Sequence, residues 1–305
     1  MARIGYLGPS AETAPHLLRA FQDGLAERGY VDGRNVVIEY RWTNAGTRMT
    51  DASELLANAR DLVERHVDVL VASIDPAIVA ASKATRTIPI VMLNVSDPVE
   101  LGVASSLARP GGNITGLTRI SPELVAKHLQ LLLEVVPGAN RLGLLLGDST
   151  SMNRLNVANA REAAQKRGVA LQIVELRAPQ DLDTAFVALK DGRAQGLLVS
   201  YVGGGWFFTQ RERLAQLALA QRLPAIFANT ENVEAGGLMS YSPDSVANYR
   251  RAAAFIDKIL RGTKPGDIPI EQPTQFELAI NMKTAKVMNI AIPQSVLLRA
   301  DRVIQ

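Results

Sequence analysis

Residues 88–100 read IPIVMLNVSDPVE, an apolar run that breaks at Asn94 into Val95-Ser96-Asp97-Pro98. The run has the length and the branched side chains of a buried strand. The residues after it carry the signals of a helix start. Asp97 suits the N-cap, Pro98 the first helical position, and Glu100 completes an Asp-x-x-Glu capping box. A strand that ends where a helix N-terminus begins is where open α/β sheets place ligands. The same junction occurs upstream, where VDVLVAS (67–73) runs into Ile74-Asp75-Pro76. Two such junctions point to a ligand-binding α/β protein.

Outward from that stretch, apolar runs and helical patterns alternate. Strands are expected over 3–8, 36–42, 67–73, 88–94, 114–118, 141–147, 170–176, 196–200, 224–229 and 238–242. Several, such as LGLLLG (142–147), are continuously apolar, as strands covered on both faces are. Helical spacing marks 16–28, 55–65, 122–135 and 153–167, and a longer helix starts at Ser242-Pro243 and runs to Leu260. Gly29, Gly168 and Gly262 stop three of them. The order strand, helix, strand, helix, strand is run twice, over 1–117 and about 139–242. That means two similar lobes, each a doubly wound parallel sheet. The last stretch adds a Pro-rich linker (265–273), a strand (275–280) and a short helical tail, so the chain returns between lobes and forms a hinge and a cleft.

Composition narrows the function. A chain of 305 residues that is 47% apolar folds into two ordinary domains rather than staying disordered. Its 33 basic and 30 acidic residues nearly cancel, aromatics are 5%, and no dense basic run occurs, so a nucleic-acid partner is not expected. Without cysteine there are no disulfides, thiolate metal sites or thiol nucleophiles. No apolar run is long enough to span a membrane. The opening MARIGYLGPS reads as a strand, not an export signal, so the chain is either cytoplasmic or a mature form. His16, His66 and His128 lack ligand spacing, and no nucleophile elbow, P-loop or dinucleotide turn is present. No metal, cofactor or catalytic residue is expected.

What remains is a polar rim at the carboxyl ends of strands. In the first lobe it comprises Ser10, Ser73, Asp75, Asn94, Ser96 and Asp97. In the second it comprises Ser149, Thr150, Tyr201, Asn229 and Tyr241, with Trp206 close by. Hydroxyls and helix N-terminal amides suit a ligand carboxylate, and a carboxylate side chain suits an ammonium. Tyr201, Trp206 and Tyr241 suit a flat or apolar group. Each has a plainer reading: Asp75 and Asp97 as N-caps, the serines as loop hydrogen-bonders, and the aromatics as core or hinge packing.

Several long motifs carry a family resemblance over nearly the whole chain. They include Phe21-x-x-Gly24-Leu25-x-x-x-Gly29-Tyr30-Val31-x-Gly33-x-Asn35-Val36, Ile88-Pro89-Ile90-Val91 followed by Asp97-Pro98-Val99, and the run from Ser106 to Gly116. Arg222-Leu223-Pro224-Ala225-Ile226, Ala235-Gly236-Gly237-Leu238-Met239-Ser240-Tyr241 and Pro269-Ile270-Glu271-Gln272-Pro273-Thr274, running on to Phe276-Glu277-Leu278, complete them. In these the chain resembles the tryptophan/tyrosine-type substrate-binding proteins of ABC transporters. The resemblance implies a type I periplasmic-binding fold with three crossings, its lobes being 1–117 plus 243–272 and 118–242 plus 273–305. It implies no catalysis. A small carboxylate, first of all an aromatic amino acid, would be clamped in the cleft and delivered to an ABC permease with its ATPase. A monomeric periplasmic protein is expected, its export signal absent from this chain. Ser242, where relatives often have Gly, and the Gly-rich 201–208 depart from the pattern and leave the solute open. A cytoplasmic ligand-sensing domain, or an α/β enzyme using Asp97 or Asp148, are the alternatives.

Overall fold

The computed structural model describes residues 1–43, 51–119, 124–147, 151–200 and 206–305, without the side chains of Thr43, 151–155 and Trp206. It contains two compact units, Met1–Ile120 with Asp244–Thr274, and Ser121–Pro243 with Gln275–Gln305.

The first unit opens with β1 (Ala2–Pro9), α1 (Pro15–Ala26), β2 (Val36–Thr43), α2 (Ala52–Glu64), β3 (Val69–Ser73), α3 (Asp75–Ala84), β4 (Ile90–Val95) and β5 (Ile114–Thr118). These strands pair in parallel in the order β2-β1-β3-β4-β5. Side-chain alternation feeds two cores. Val69 and Val71 join Phe21 and Leu25 of α1 on one face, while Leu70 and Ala72 join Leu55 and Leu62 of α2 on the other.

The second unit follows with α4 (Leu124–Val135), β6 (Arg141–Leu146), α5 (Ser151–Gln165), β7 (Ala170–Glu175), α6 (Leu182–Asp191), β8 (Leu197–Val199), α7 (Trp206–Thr209), α8 (Arg211–Ala220), β9 (Ala225–Phe227), α9 (Thr230–Glu234) and β10 (Met239–Pro243). The chain returns to the first unit for α10 (Ser245–Leu260). It ends in the second with β11 (Phe276–Asn281), α11 (Met282–Met288), α12 (Gln294–Leu297) and β12 (Arg302–Ile304). That sheet runs β12-β11-β10-β9-β8-β6-β7, so its last five places repeat the order of the first unit.

Helix α10 is capped by Asp244, whose carboxylate accepts from the Ala247 amide, rather than by Ser242. It lies against α1 so closely that a Cβ on Gly24 would sit 2.3 Å from the Arg250 carbonyl oxygen. Only glycine allows that approach.

Three segments differ from the sequence reading. β11 is antiparallel to β10, with Pro243 opposite Phe276. The chain leaves this unit after β10 and re-enters just before β11, so outgoing and incoming strands share one end of the sheet and must run in opposite senses. The Pro-rich segment is not a loose linker. Ile268 and Ile270 are buried, Thr115 Oγ1 donates to the Ile268 carbonyl at 2.8 Å, and Glu271 bridges Leu117 beside β5. The tail is not purely helical either. Its last residues form β12, docked parallel to β11, and the preceding Asp301 carboxylate accepts the Leu278 amide at 2.8 Å.

Candidate functional site

The order β2-β1-β3 places the reversal of strand order between β1 and β3, and open sheets take ligands beyond the carboxyl ends of such strands. Ser10 follows β1 directly. Its hydroxyl bonds Thr13 Oγ1 at 2.9 Å and accepts the Thr13 amide at 3.2 Å, closing the loop into α1.

Ser73 ends β3. Alternation puts it on the face of Val69 and Val71, where α10 packs, and there it is fully buried against Tyr249, hydroxyl to hydroxyl at 2.6 Å. Tyr6 and Asn94 lie close enough to the same tyrosine to act on its phenol. Burial raises the phenol pKa of both tyrosines, so this is a neutral cluster.

The next residue, Ile74, has φ +79°. A β-branched residue there is a genuine outlier that costs about 1–3 kcal/mol. Asn94, at the end of the neighbouring β4, is also left-handed, with φ +53°. The twist at Asn94 shifts the register, so Met92 and Val95, three apart, both face the α2 side. Strain of this kind gathers where a backbone is held for function.

Asp75 does not cap a helix. It is the first residue of α3, and its side chain reaches across to Ser96, accepting the amide at 2.7 Å and the hydroxyl at 2.5 Å. Burial raises its pKa, while the Ser96 bonds and the charge of Arg119 work in the opposite sense. Asp97 does cap, taking the Val99 and Glu100 amides on Oδ1 at 2.9 and 3.1 Å. Yet a turn, not a helix, comes next: Gly102 and Val103 already bond back to Val99 and Pro98. Among the described residues no group bonds to Asp97 Oδ2. The half-buried Trp42, near the end of β2, stacks on Tyr40 at 4.9 Å and meets Tyr6 edge-on at 6.0 Å.

In the second unit Ser149, Thr150 and Tyr201 lie outside the described residues, as does the Trp206 side chain. Asn229 follows β9 and is buried, makes no cap bond to α9, and its Nδ2 has no partner among the described residues. An unmet buried donor is uncommon and calls for an acceptor. Tyr241 on β10 stacks on Phe276 at 5.4 Å, and its carbonyl bonds His128 Nε2 at 2.5 Å. Burial lowers the His128 pKa to about 4, so the ring is neutral and donates to that carbonyl.

Tyr249, from within the core, Arg119 and Trp42 stand beside these groups, and the sequence reading does not single them out. Arg119 has a signal, being a charge directly after the buried strand β5. Tyr249 has little, since within its own helix it reads as one more core residue. Among the described residues no cluster could hold a metal ion, and no helix is long and apolar enough to cross a membrane.

Comparison with known proteins adds to this geometry. The family model described as ABC transporter substrate binding protein matches residues 12–304. A tyrosine-binding protein of Clostridioides difficile (strain R20291) is 26% identical over 272 residues, 89% of this chain and 76% of that protein. Among solved structures, an ABC domain from Streptococcus pneumonia in complex with L-Trp is 25% identical with a TM-score of 0.89, covering 99% of both chains. A leucine-binding protein of Thermotoga maritima is 13% identical with a TM-score of 0.63, covering 86% of this chain and 83% of that one. It supports the fold alone, the type I periplasmic-binding arrangement.

Proposed function

The chain belongs to the ABC transporter substrate binding protein family, and from that membership we propose that it captures an amino acid, first of all an aromatic one, outside the cytoplasmic membrane and hands it to a permease with its ATPase. The family is one of binding proteins rather than enzymes. The observation that carries the solute class is the pair of relatives, one named for tyrosine and one holding L-Trp.

In this reading, binding of the solute shifts the receptor to the state that the permease reads. Asp97 is the partner of the solute ammonium, because its Oδ2 remains when Oδ1 has capped the turn. Asp75 supports it from behind, with both oxygens already on Ser96. Arg119 supplies the charge for the carboxylate, and Asn229 a buried amide donor. Ser73 and Ser96 act through the groups they hold. Trp42 and Tyr241 offer flat faces to a ring. Ser10, Ser149, Thr150, Tyr201 and Trp206 complete the proposed lining.

The test is Asp97→Asn, which keeps a good cap while removing the charge. Titration calorimetry should show affinity for L-tryptophan falling about tenfold or more, roughly 1.4 kcal/mol. Affinity for indole-3-propionate, which lacks the amine, should change less than about threefold. Equal losses for the two would make Asp97 a cap and nothing more.

A further inference from the structure

Tyr249 lies on α10, a helix the sheet of the first unit acquires only after the chain has passed through the second. It is 1% exposed, yet its hydroxyl does not sit in an apolar core. It meets Ser73 Oγ at 2.6 Å, with Tyr6 and Asn94 close enough to act on the same phenol. Ser73 immediately precedes Ile74, and Asn94 is itself left-handed, so the hydroxyl is bonded next to one departure from ordinary backbone and lies near the other.

Those two departures aim the rest of the rim. The Ile74 amide bonds the Leu93 carbonyl at 3.0 Å, and the Ser96 amide bonds Asp75 at 2.7 Å, so the turns after β3 and β4 are tied to each other. Asp97 comes one residue later. A phenylalanine ring would fill the same space and keep the apolar contacts, so the hydroxyl has a task that packing does not explain.

We infer that Tyr249 is a positioning residue for solute binding: its hydroxyl holds Ser73 so that the strained turn at Ile74, and the turn at Asn94 tied to it, present Asp75, Ser96 and Asp97 in binding geometry. This rests on the solute-receptor reading above. The tyrosine is buried and does not touch the solute. It also makes α10, which starts two residues past the passage from the second unit at Pro243, a structural part of the rim.

The test is Tyr249→Phe in the full chain, with Ser73→Ala as a second variant removing the other end of the bond. In ligand-free protein, hydrogen exchange of the Ile74 and Ser96 amides should quicken at least tenfold, while amides in the middle of β3 keep their protection. Affinity for L-tryptophan should fall about tenfold in each single variant, and the double variant should lose little more, since both remove one link. Unchanged exchange at Ile74 and Ser96 would overturn the inference whatever the affinity does. Faster exchange with unchanged affinity would overturn it too, leaving Tyr249 a core group. If wild-type protein binds no amino acid, the receptor reading fails, and the exchange measurement still decides whether the hydroxyl holds the rim.

Discussion

Gly116→Ala should disrupt the sheet of the first unit, at a cost of roughly 3–5 kcal/mol. Gly116 sits inside β5, opposite Met92 of β4, with φ +136°, a conformation that L side chains rarely adopt. A Cβ there would lie 2.2 Å from the Met92 carbonyl oxygen and 2.6 Å from its nitrogen. Both are backbone atoms of the neighbouring strand, so no rotamer change relieves the clash. The strands must part, and the turn at Asn94 depends on their register. Urea unfolding followed by circular dichroism should show an early transition for the first unit, with the second unit's transition close to wild type. A single unshifted transition would mean that β4 and β5 tolerate the insertion.

Stability should also fall with acidity through one buried histidine. His128 titrates at about 4 in the folded protein, against 6.5 for an ordinary imidazole, because burial disfavours the charged ring more than the Tyr241 carbonyl favours it. Between those values the unfolded chain binds a proton that the folded chain does not. The stabilisation is therefore complete above pH 6.5 and is lost as pH falls towards 4. The whole effect is on the order of 3 kcal/mol. His128→Gln lacks the titration. The stability difference between wild type and this variant should shift against wild type by about 2–3 kcal/mol from pH 7 to 4.5, other carboxylates being common to both. A difference independent of pH would place the ring in contact with water.

Much of this was legible along the chain because it is local. Continuous apolar runs such as 142–147 could only be strands covered on both faces, and they are. The alternation of such runs with amphipathic helices gave the doubly wound order. What stayed hidden depends on residues far apart. Nothing around Ser73 announces a partner 176 positions away, and nothing around Tyr249 distinguishes it from the apolar residues of α10. Asp75 and Asp97 both precede proline, but one caps a turn and the other reaches 21 positions along the chain to Ser96. Local patterns cannot separate those fates. The sense of β11 was hidden for the same reason, since it depends on where the chain re-enters a unit it has left. β12 is only three residues long, too short to show a period.

The central claim, that this chain is a receptor for an amino acid, is tested most directly by titrating L-tryptophan, L-tyrosine and L-leucine into the purified protein by calorimetry. The account predicts one molecule bound per chain, with a Kd on the order of 1 μM or tighter for at least one aromatic amino acid and the solute recovered chemically unchanged. No binding of any of the three, or conversion of a bound one to product, would contradict it.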